Sequence, residues 1–515
     1  MIVLKKTGLF LILSILLITS AVAEEDISFT VNFAPSDFSL NPQYGFTTSE
    51  AQIFTALYEG LVTYHPATLL PEPGLAESWE ISEDGRIYTF HLRDNLKWSN
   101  GDALTAEQIK MSWLKLLSPS VSADYASLLD DIPGAHAYRT GQGKAEAVAI
   151  EAVDDRTFIV HLDRKLPYFL QILCHYSFVP LHPSLLNLEN WWTSENIPTN
   201  GPFAYTGETK KNRIILRKNK EYWDRDSVKF TSLNLQFSKY PEELMDQFRL
   251  YEVDWIVSGW NGVSPDPQKL EINPLFATSY YYFNNNQVPW DNPKVRRGLS
   301  LLLPWDKIRA QEFLPTSRLI PSIPGYPKIK GIEAASAEQG LTLLKEAGYP
   351  EGRGLPEIRL RVPYADSEAL KLIKETWENY LDTKVILEEV PFPDYFQSLK
   401  EDDYALGQIT WIGDYADPMT FLQMWEEGSS LNDAGFYSEE YNRLLNEAVD
   451  ENRLEKMGEA EKLLLESAQV LPMGHSPALN LLDLRFLSGW YHNVLDIHPF
   501  KYMGFLNEFV IPGTI

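Results

Sequence analysis

The chain has 515 residues, 44% of them hydrophobic, and a formal net charge of −26. That length and apolar content build more than one core and leave two to four domains open. The acidic balance excludes nucleic acid and anionic membrane surfaces as partners, and the single cysteine, Cys174, excludes an intramolecular disulfide.

Residues 1–23 stand apart. Lys5 and Lys6 precede an apolar run from Leu9 to Ile18, and Ala21-Val22-Ala23 follows. A charged start, an apolar run too short for a bilayer and an A-x-A site read as a secretory signal cleaved after Ala23. An uncleaved anchor helix is the alternative. Cleavage takes the mature charge to about −28. No cysteine near the cleavage site could carry a lipid, and no later segment is long and apolar enough to span a membrane. The expectation is a protein free in the periplasm.

The mature chain opens with a strand over Ile27 to Phe33, a loop through Tyr44 and a helix over Ser49 to Leu57. Trp79 to Ser82 and Arg86 to Leu92 flank Glu83-Asp84-Gly85, which predicts a hairpin. Thr105 with Gln108 three residues on predicts a capping box for a helix whose apolar face carries Ile109, Trp113, Leu116 and Leu117. Two strands are expected within 147–162, a turn at Asn200-Gly201-Pro202, and strands at 203–205 and 213–217. From Ser279 the texture becomes an alternation. A strand to Phe283 leads to a helix capped by Asn292 with Pro293 at its first position. A helix ending at Gly348, a strand over Glu357 to Val362, a helix over Ser367 to Leu381 and a strand over Lys384 to Val390 follow. Two helices, Glu439 to Asp450 and Glu455 to Val470, close the section, and Tyr502 to Val510 reads as a return strand or a tail packed on the first lobe.

The segment TWIGDYADPMTFL, Thr410 to Leu422, carries the chemistry. An apolar strand, Tyr404 to Ile412, runs through a glycine into Asp414. A carboxylate at the end of a buried strand is costly unless something positive meets it. Capping a helix at Met419 to Trp425 is the alternative use of Asp414, and Asp417 beside Pro418 reads as a turn or cap residue.

Seven blocks in order resemble the extracytoplasmic solute-binding proteins of the peptide/nickel family, which include the oligopeptide-binding proteins of ABC importers. They are LNPQY (40–44), ALYEGLVTY (56–64), LAESWEISEDGRIYTFHLRDNLKWSNGDALTAEQI (75–109), NGPF (200–203), YYYFNNN (280–286), LLKEAGYP (343–350) and GDYADPMTFL (413–422). The resemblance implies an α/β fold of two lobes that close on a ligand like a flytrap, with an extra inserted peripheral domain. It places lobe I at 24–63, 177–277 and 487–515, the peripheral domain at 64–176 and lobe II at 278–486. The implied role is capture of an oligopeptide and its delivery to an inner-membrane ABC permease. The chain has no P-loop and no transmembrane helix, so permease and ATPase would be separate chains. A monomer suits a diffusing carrier.

By the same resemblance, Asp414 would grip the ligand's α-ammonium. Ser36, Asp37 and Phe38 would offer main-chain groups from the first lobe, and Thr410, Trp411 and Ile412 from the second. Tyr125 matches a tyrosine that the family brings in from the peripheral domain, with ordinary packing as its alternative. Where some relatives hold the peptide carboxylate with Arg and His, this chain has Gln408 and Leu370. Either Arg361 or Lys371 substitutes, or the ligand is not a plain tri- or tetrapeptide. Another solute on the same scaffold, such as a murein peptide, an opine-like conjugate, a sugar or a metal chelate, is the second reading. The nine histidines show no metal-ligand spacing, so no cofactor or metal is expected. No catalytic motif is present, and among 71 acids a close pair such as Asp414 and Asp417 arises by chance, so no enzyme is expected. A sensory or chaperone module remains a further reading.

Overall fold

A computed structural model describes residues 26–33, 39–210, 213–238, 240–257, 266–392 and 394–506. Ser36, Asp37, Phe38 and the expected signal segment lie outside the described residues.

Three sheets organise the chain. The first has seven strands in the spatial order Leu270–Pro274, Pro477–Leu482, Trp255–Ile256, Ser28–Asn32, Ser232–Gln236, Arg213–Lys218 and Phe203–Lys210. Ser28–Asn32 runs parallel to both neighbours, so helices and loops must cross over the sheet to connect them. Its apolar residues Phe29 and Val31 meet Leu233 and Leu235 in a core that excludes water completely. The second sheet has six strands in the order Leu314–Pro315, Val470–His475, Ala277–Phe283, Leu406–Ile412, Ile358–Val362 and Val385–Glu389. The Glu368–Tyr380 helix covers it through Leu370, Ile373 and Trp377. Four antiparallel strands, Ala76–Ile81, Ile87–Leu92, Thr157–His161 and Ile150–Ala152, form the third sheet, which packs on the Ala106–Leu116 helix. The architecture is a two-lobed α/β fold with a peripheral domain.

The elements follow the sequence patterns closely, with three corrections. Pro477–Leu482 hydrogen-bonds in the first sheet, so the chain returns to the first lobe between His475 and Pro477 rather than after residue 486. The last long helix stops at Glu466 because Ala468 takes a left-handed φ of 51°, and Val470 then starts a strand. Thr105 begins its helix without a side-chain cap, and Gln108 does not supply the other half of a box: its Oε1 accepts from the Trp98 indole at 2.8 Å.

The two chain crossings between lobes lie side by side. Leu270–Pro274 pairs with Pro477–Leu482 in the first sheet, and Ala277–Phe283 pairs with Val470–His475 in the second. One antiparallel ribbon therefore passes from sheet to sheet, with Pro274 facing Pro477 at the passage.

A buried charge pair staples the first lobe. Lys501 Nζ donates to Glu59 Oε1 at 2.6 Å, and the Tyr222 hydroxyl donates to the same oxygen at 2.7 Å. Asn200 fixes the Glu59 backbone by donating to its carbonyl at 2.8 Å. Glu59 and Lys501 are 5% and 7% exposed, so removing one partner leaves a charge stranded in the core. Lys501→Met is expected to lower unfolding stability by about 3–5 kcal/mol. Adding Glu59→Gln should recover much of the loss, as read by denaturant titration of both variants.

Candidate functional site

The Leu406–Ile412 strand sits in the middle of the second sheet, but only part of it is paired on both sides. Ala277–Phe283 covers one edge along its whole length. On the other edge Ile358–Val362 reaches only Leu406 and Gly407. Just beyond, the Tyr395 hydroxyl takes the place of a strand: it accepts from Gln408 N–H at 3.0 Å and donates to Gln408 C=O at 2.6 Å. Gln408 thus points its main chain away from Ala277–Phe283. Strand alternation puts the amides and carbonyls of Thr410 and Ile412 on that same open edge. Trp411 turns its main chain the other way, toward Thr278, so what it can offer is its ring.

Asp414 lies at the end of this open edge. It is 8% exposed. Its own N–H donates to Thr420 Oγ1 at 2.9 Å, and that hydroxyl reaches back to Asp414 Oδ2 at 3.3 Å. From across the cleft the Tyr64 hydroxyl donates to the Asp414 carbonyl at 2.9 Å. Among the described residues no lysine or arginine pairs with this carboxylate. His175 Nε2 is 4.0 Å from Oδ1, but burial pushes that imidazole down to about 3, so it is neutral. Burial likewise drives the Asp414 carboxyl up to about 8, while hydrogen bonds from Thr420 and Tyr125 pull it part of the way back.

Rings from all three parts of the molecule close around the acid. Tyr125 stands 4.4 Å from His175 and 5.9 Å from Phe46, ring centre to ring centre, and Phe46 meets Trp411 edge-on at 6.3 Å. Tyr125 is therefore both packed, at 4% exposure, and a neighbour of Asp414.

The other acid is committed to structure. Asp417 accepts from Met419 N–H at 3.0 Å and holds Arg453 at 2.8 Å, so it, and not Asp414, is the acid that bonds the first amide of the short helix. Neither cation suggested for a ligand carboxylate is free. The Arg361 guanidinium, 1% exposed, is shared by Glu388, Glu401 and Asp403. Lys371 lies half-exposed on the outer helix face against Asp366 and Glu368. Leu370 is core, and Gln408 faces the Tyr395 plug. Thr420, Tyr64, Tyr395 and His175 were not legible as site residues. Their positions come from segments far apart in sequence; Tyr64 and Thr420 lie within two of the seven resembling blocks, and Tyr395 and His175 lie in none.

The buried acid and the half-open strand can be set beside known proteins. Residues 71–433 match the bacterial extracellular solute-binding proteins, family 5 Middle. The chain is 30% identical over 474 residues to the oligopeptide-binding protein OppA of Bacillus subtilis, covering 86% of each. It is 27% identical over 504 residues to the periplasmic oligopeptide-binding protein OppA of Salmonella typhimurium, covering 92% of this chain and 90% of that one. Among solved structures, an oligopeptide-binding protein of a Borrelia burgdorferi ABC transporter superposes with a TM-score of 0.82 at 28% identity, over 93% of this chain and all of that one.

An unpaired buried carboxyl makes a prediction about stability. The folded value of Asp414, about 8, lies above the value of about 4 for an unfolded chain, so the folded state holds the extra proton between those pH values. Stability of the ligand-free protein therefore falls as pH rises from about 4 to 8. Asp414→Asn, neutral and of equal size, should raise ligand-free stability by about 2–4 kcal/mol at pH 8, and the gain should shrink toward zero near pH 4, in thermal melts at both pH values. By match and by fold, the chain belongs to the bacterial extracellular solute-binding proteins of family 5.

Proposed function

We infer that this protein captures oligopeptides in the cleft between its lobes, outside the cytoplasmic membrane, and hands them to the permease of an ABC importer. The observation that carries this is Asp414, a carboxylate enclosed at the lobe junction with no cation beside it among the described residues. A peptide's α-ammonium is the missing partner, and a closed cleft strengthens that pair by lowering the local dielectric. The ligand's first residues would then lie along the open edge and bond to the main chain of Thr410 and Ile412, as an added strand does. Main-chain bonds and a terminal charge are common to all peptides, so such a site accepts many sequences. Trp411 and Tyr125 would wall the first residue. Ser36, Asp37 and Phe38 would supply the facing main chain from the first lobe.

Relatives support the ligand class. The OppA proteins of Bacillus subtilis and Salmonella typhimurium are named for oligopeptide binding. The Haemophilus influenzae OppA was solved in complex with the peptide RPPGFSPFR and superposes with a TM-score of 0.79 at 25% identity. The protein acts as a monomer, exported by its N-terminal signal, with permease and ATPase on other chains. A murein peptide is the second reading. It is favoured by 28% identity to the Escherichia coli murein peptide-binding protein MppA.

Calorimetry of stripped protein with a mixed tripeptide pool and the same pool N-acetylated tests the reading. The free-amine pool is expected to bind and the acetylated pool to fail. Asp414→Ala should weaken the free-amine pool by about 2–5 kcal/mol. Equal binding of both pools would remove the ammonium as the handle. Binding of neither would favour another solute. In the closed form Asp414 holds a proton when no ligand is present and is ionised when an ammonium meets it, so filling the closed cleft at pH 6 should release about one proton per ligand. Titrations in buffers of different ionisation enthalpy read that number directly, and it should vanish above about pH 9.

A further inference from the structure

The Ala106–Leu116 helix fastens the peripheral domain to the first lobe. The Ser112 hydroxyl, in a residue 1% exposed, accepts from Leu181 N–H at 2.8 Å. The Trp113 indole donates to Phe178 C=O at 2.9 Å, and Gln43 Nε2 donates to Ser112 C=O at 3.2 Å. Just before the helix, Ser99 N–H donates to Thr199 C=O at 2.7 Å. Bonds this deeply buried are costly to break, so the peripheral domain rides on the first lobe as one rigid arm.

The other end of that arm grips the second lobe. Asp130 accepts from Arg139 Nε at 2.9 Å and so aims the guanidinium across the gap, where Nη2 donates to Gly428 C=O at 2.6 Å. Asp131 holds Arg164 in the same way, accepting from Nε at 2.6 Å, and Arg164 Nη1 donates to Leu445 C=O at 3.3 Å. Leu445 lies in the last turn of the Glu439–Glu447 helix, whose dipole presents negative charge to a cation. Each arginine is thus preset by an acid of its own domain and reaches a main-chain carbonyl of the opposite lobe. A polar cavity of about 320 Å³ borders both bonds, lined by Arg164 and Asp131 at one and by Asp130, Glu427 and Ser429 at the other. Beside it Tyr168 of the arm stacks on Tyr415 with ring centres 5.6 Å apart. Nearer to Trp411, Ser430 Oγ donates to Asp124 C=O and Lys400 Nζ donates to Asp124 Oδ1 at 2.7 Å. Among the described residues, neither arginine bonds to Asp414, Thr410 or Trp411, so their grip lies outside the proposed ligand site.

We propose that the peripheral domain is a clasp on the closed form: through Arg139 and Arg164 it ties the first lobe to the second and sets how long the cleft stays shut, without taking part in the choice of ligand. The inference rests on the proposed closure of the lobes around a peptide. Because both acceptors are main-chain carbonyls of the protein itself, the clasp acts with or without a ligand inside and adds the same hold to every ligand.

Stopped-flow release of the free-amine tripeptide pool, followed by tryptophan fluorescence, tests the clasp. Arg139→Gln and Arg164→Gln should each speed release about threefold, and the double variant about tenfold. With two single variants, a folding failure in one leaves the other to decide. Arg86→Gln removes an ion pair with Asp84 on the same domain and should release at the wild-type rate. The ratio of free-amine to N-acetylated affinity should stay at its wild-type value in the arginine variants, whereas Asp414→Ala should change it. Unchanged release, or a changed ratio in the arginine variants, overturns the clasp and leaves the peptide reading standing. If no tripeptide binds, the peptide reading falls, and small-angle X-ray scattering of the ligand-free protein decides the clasp. At pH 5, where Asp414 keeps its proton in the closed form, the double variant should have a larger radius of gyration than wild type and Arg86→Gln. Equal radii overturn the clasp.

Discussion

A carboxylate sealed away from water, without a cation of its own among the described residues, sets the terms for the rest of the molecule. Asp414 is held from three directions, by Thr420 within its loop, by Tyr125 beside it and by Tyr64 across the cleft. None of these neutralises it. The empty closed state therefore carries an electrostatic cost that is removed either by a proton or by a ligand's positive charge. On the proposed reading, closure without cargo must take up a proton at Asp414, and closure on an ammonium need not. On that reading one residue would couple recognition to lobe movement, because a ligand's differential contact with the closed form is what shifts the equilibrium.

The neighbouring strand divides the labour of recognition. Its open edge can read only the peptide backbone, which carries no side-chain information. The Tyr395 hydroxyl ends that edge by occupying both main-chain groups of Gln408, so the ladder available to a ligand begins at Asp414 and is short. Any preference among side chains must come from the cavities beside the strand.

Much of the fold was legible in the sequence because its local signals agree with one another. Asn292 caps its helix by accepting from Lys294 N–H, with Pro293 at the first turn, as the pattern predicted. Ser367 caps the Glu368–Tyr380 helix by accepting from Leu370 N–H. The misses have a common cause. Gln108 was diverted by Trp98, and the strand at Pro477–Leu482 joined the first sheet through pairing with residues some two hundred positions earlier. Both outcomes are tertiary and leave no trace in a short window. The site divides along the same line. Asp414 stood out because a charge after an apolar strand demands an explanation. The neutral state of His175 and the engagement of Arg361 by three acids depend on burial and on partners that only the folded chain brings together.

The ribbon that joins the lobes bears on the kind of motion this protein can make. Two strands pass together from one sheet to the next, and prolines face each other at the passage, where neither can donate an N–H to a ladder. The sheets are thereby kept from fusing into one stiff surface. A paired ribbon flexes readily across its flat face and resists sliding of one strand along the other. The lobes should thus swing about a single axis lying in the ribbon, with little freedom to shear or slip. A ligand then has one coordinate to control, and the two jaws return to the same register on every stroke.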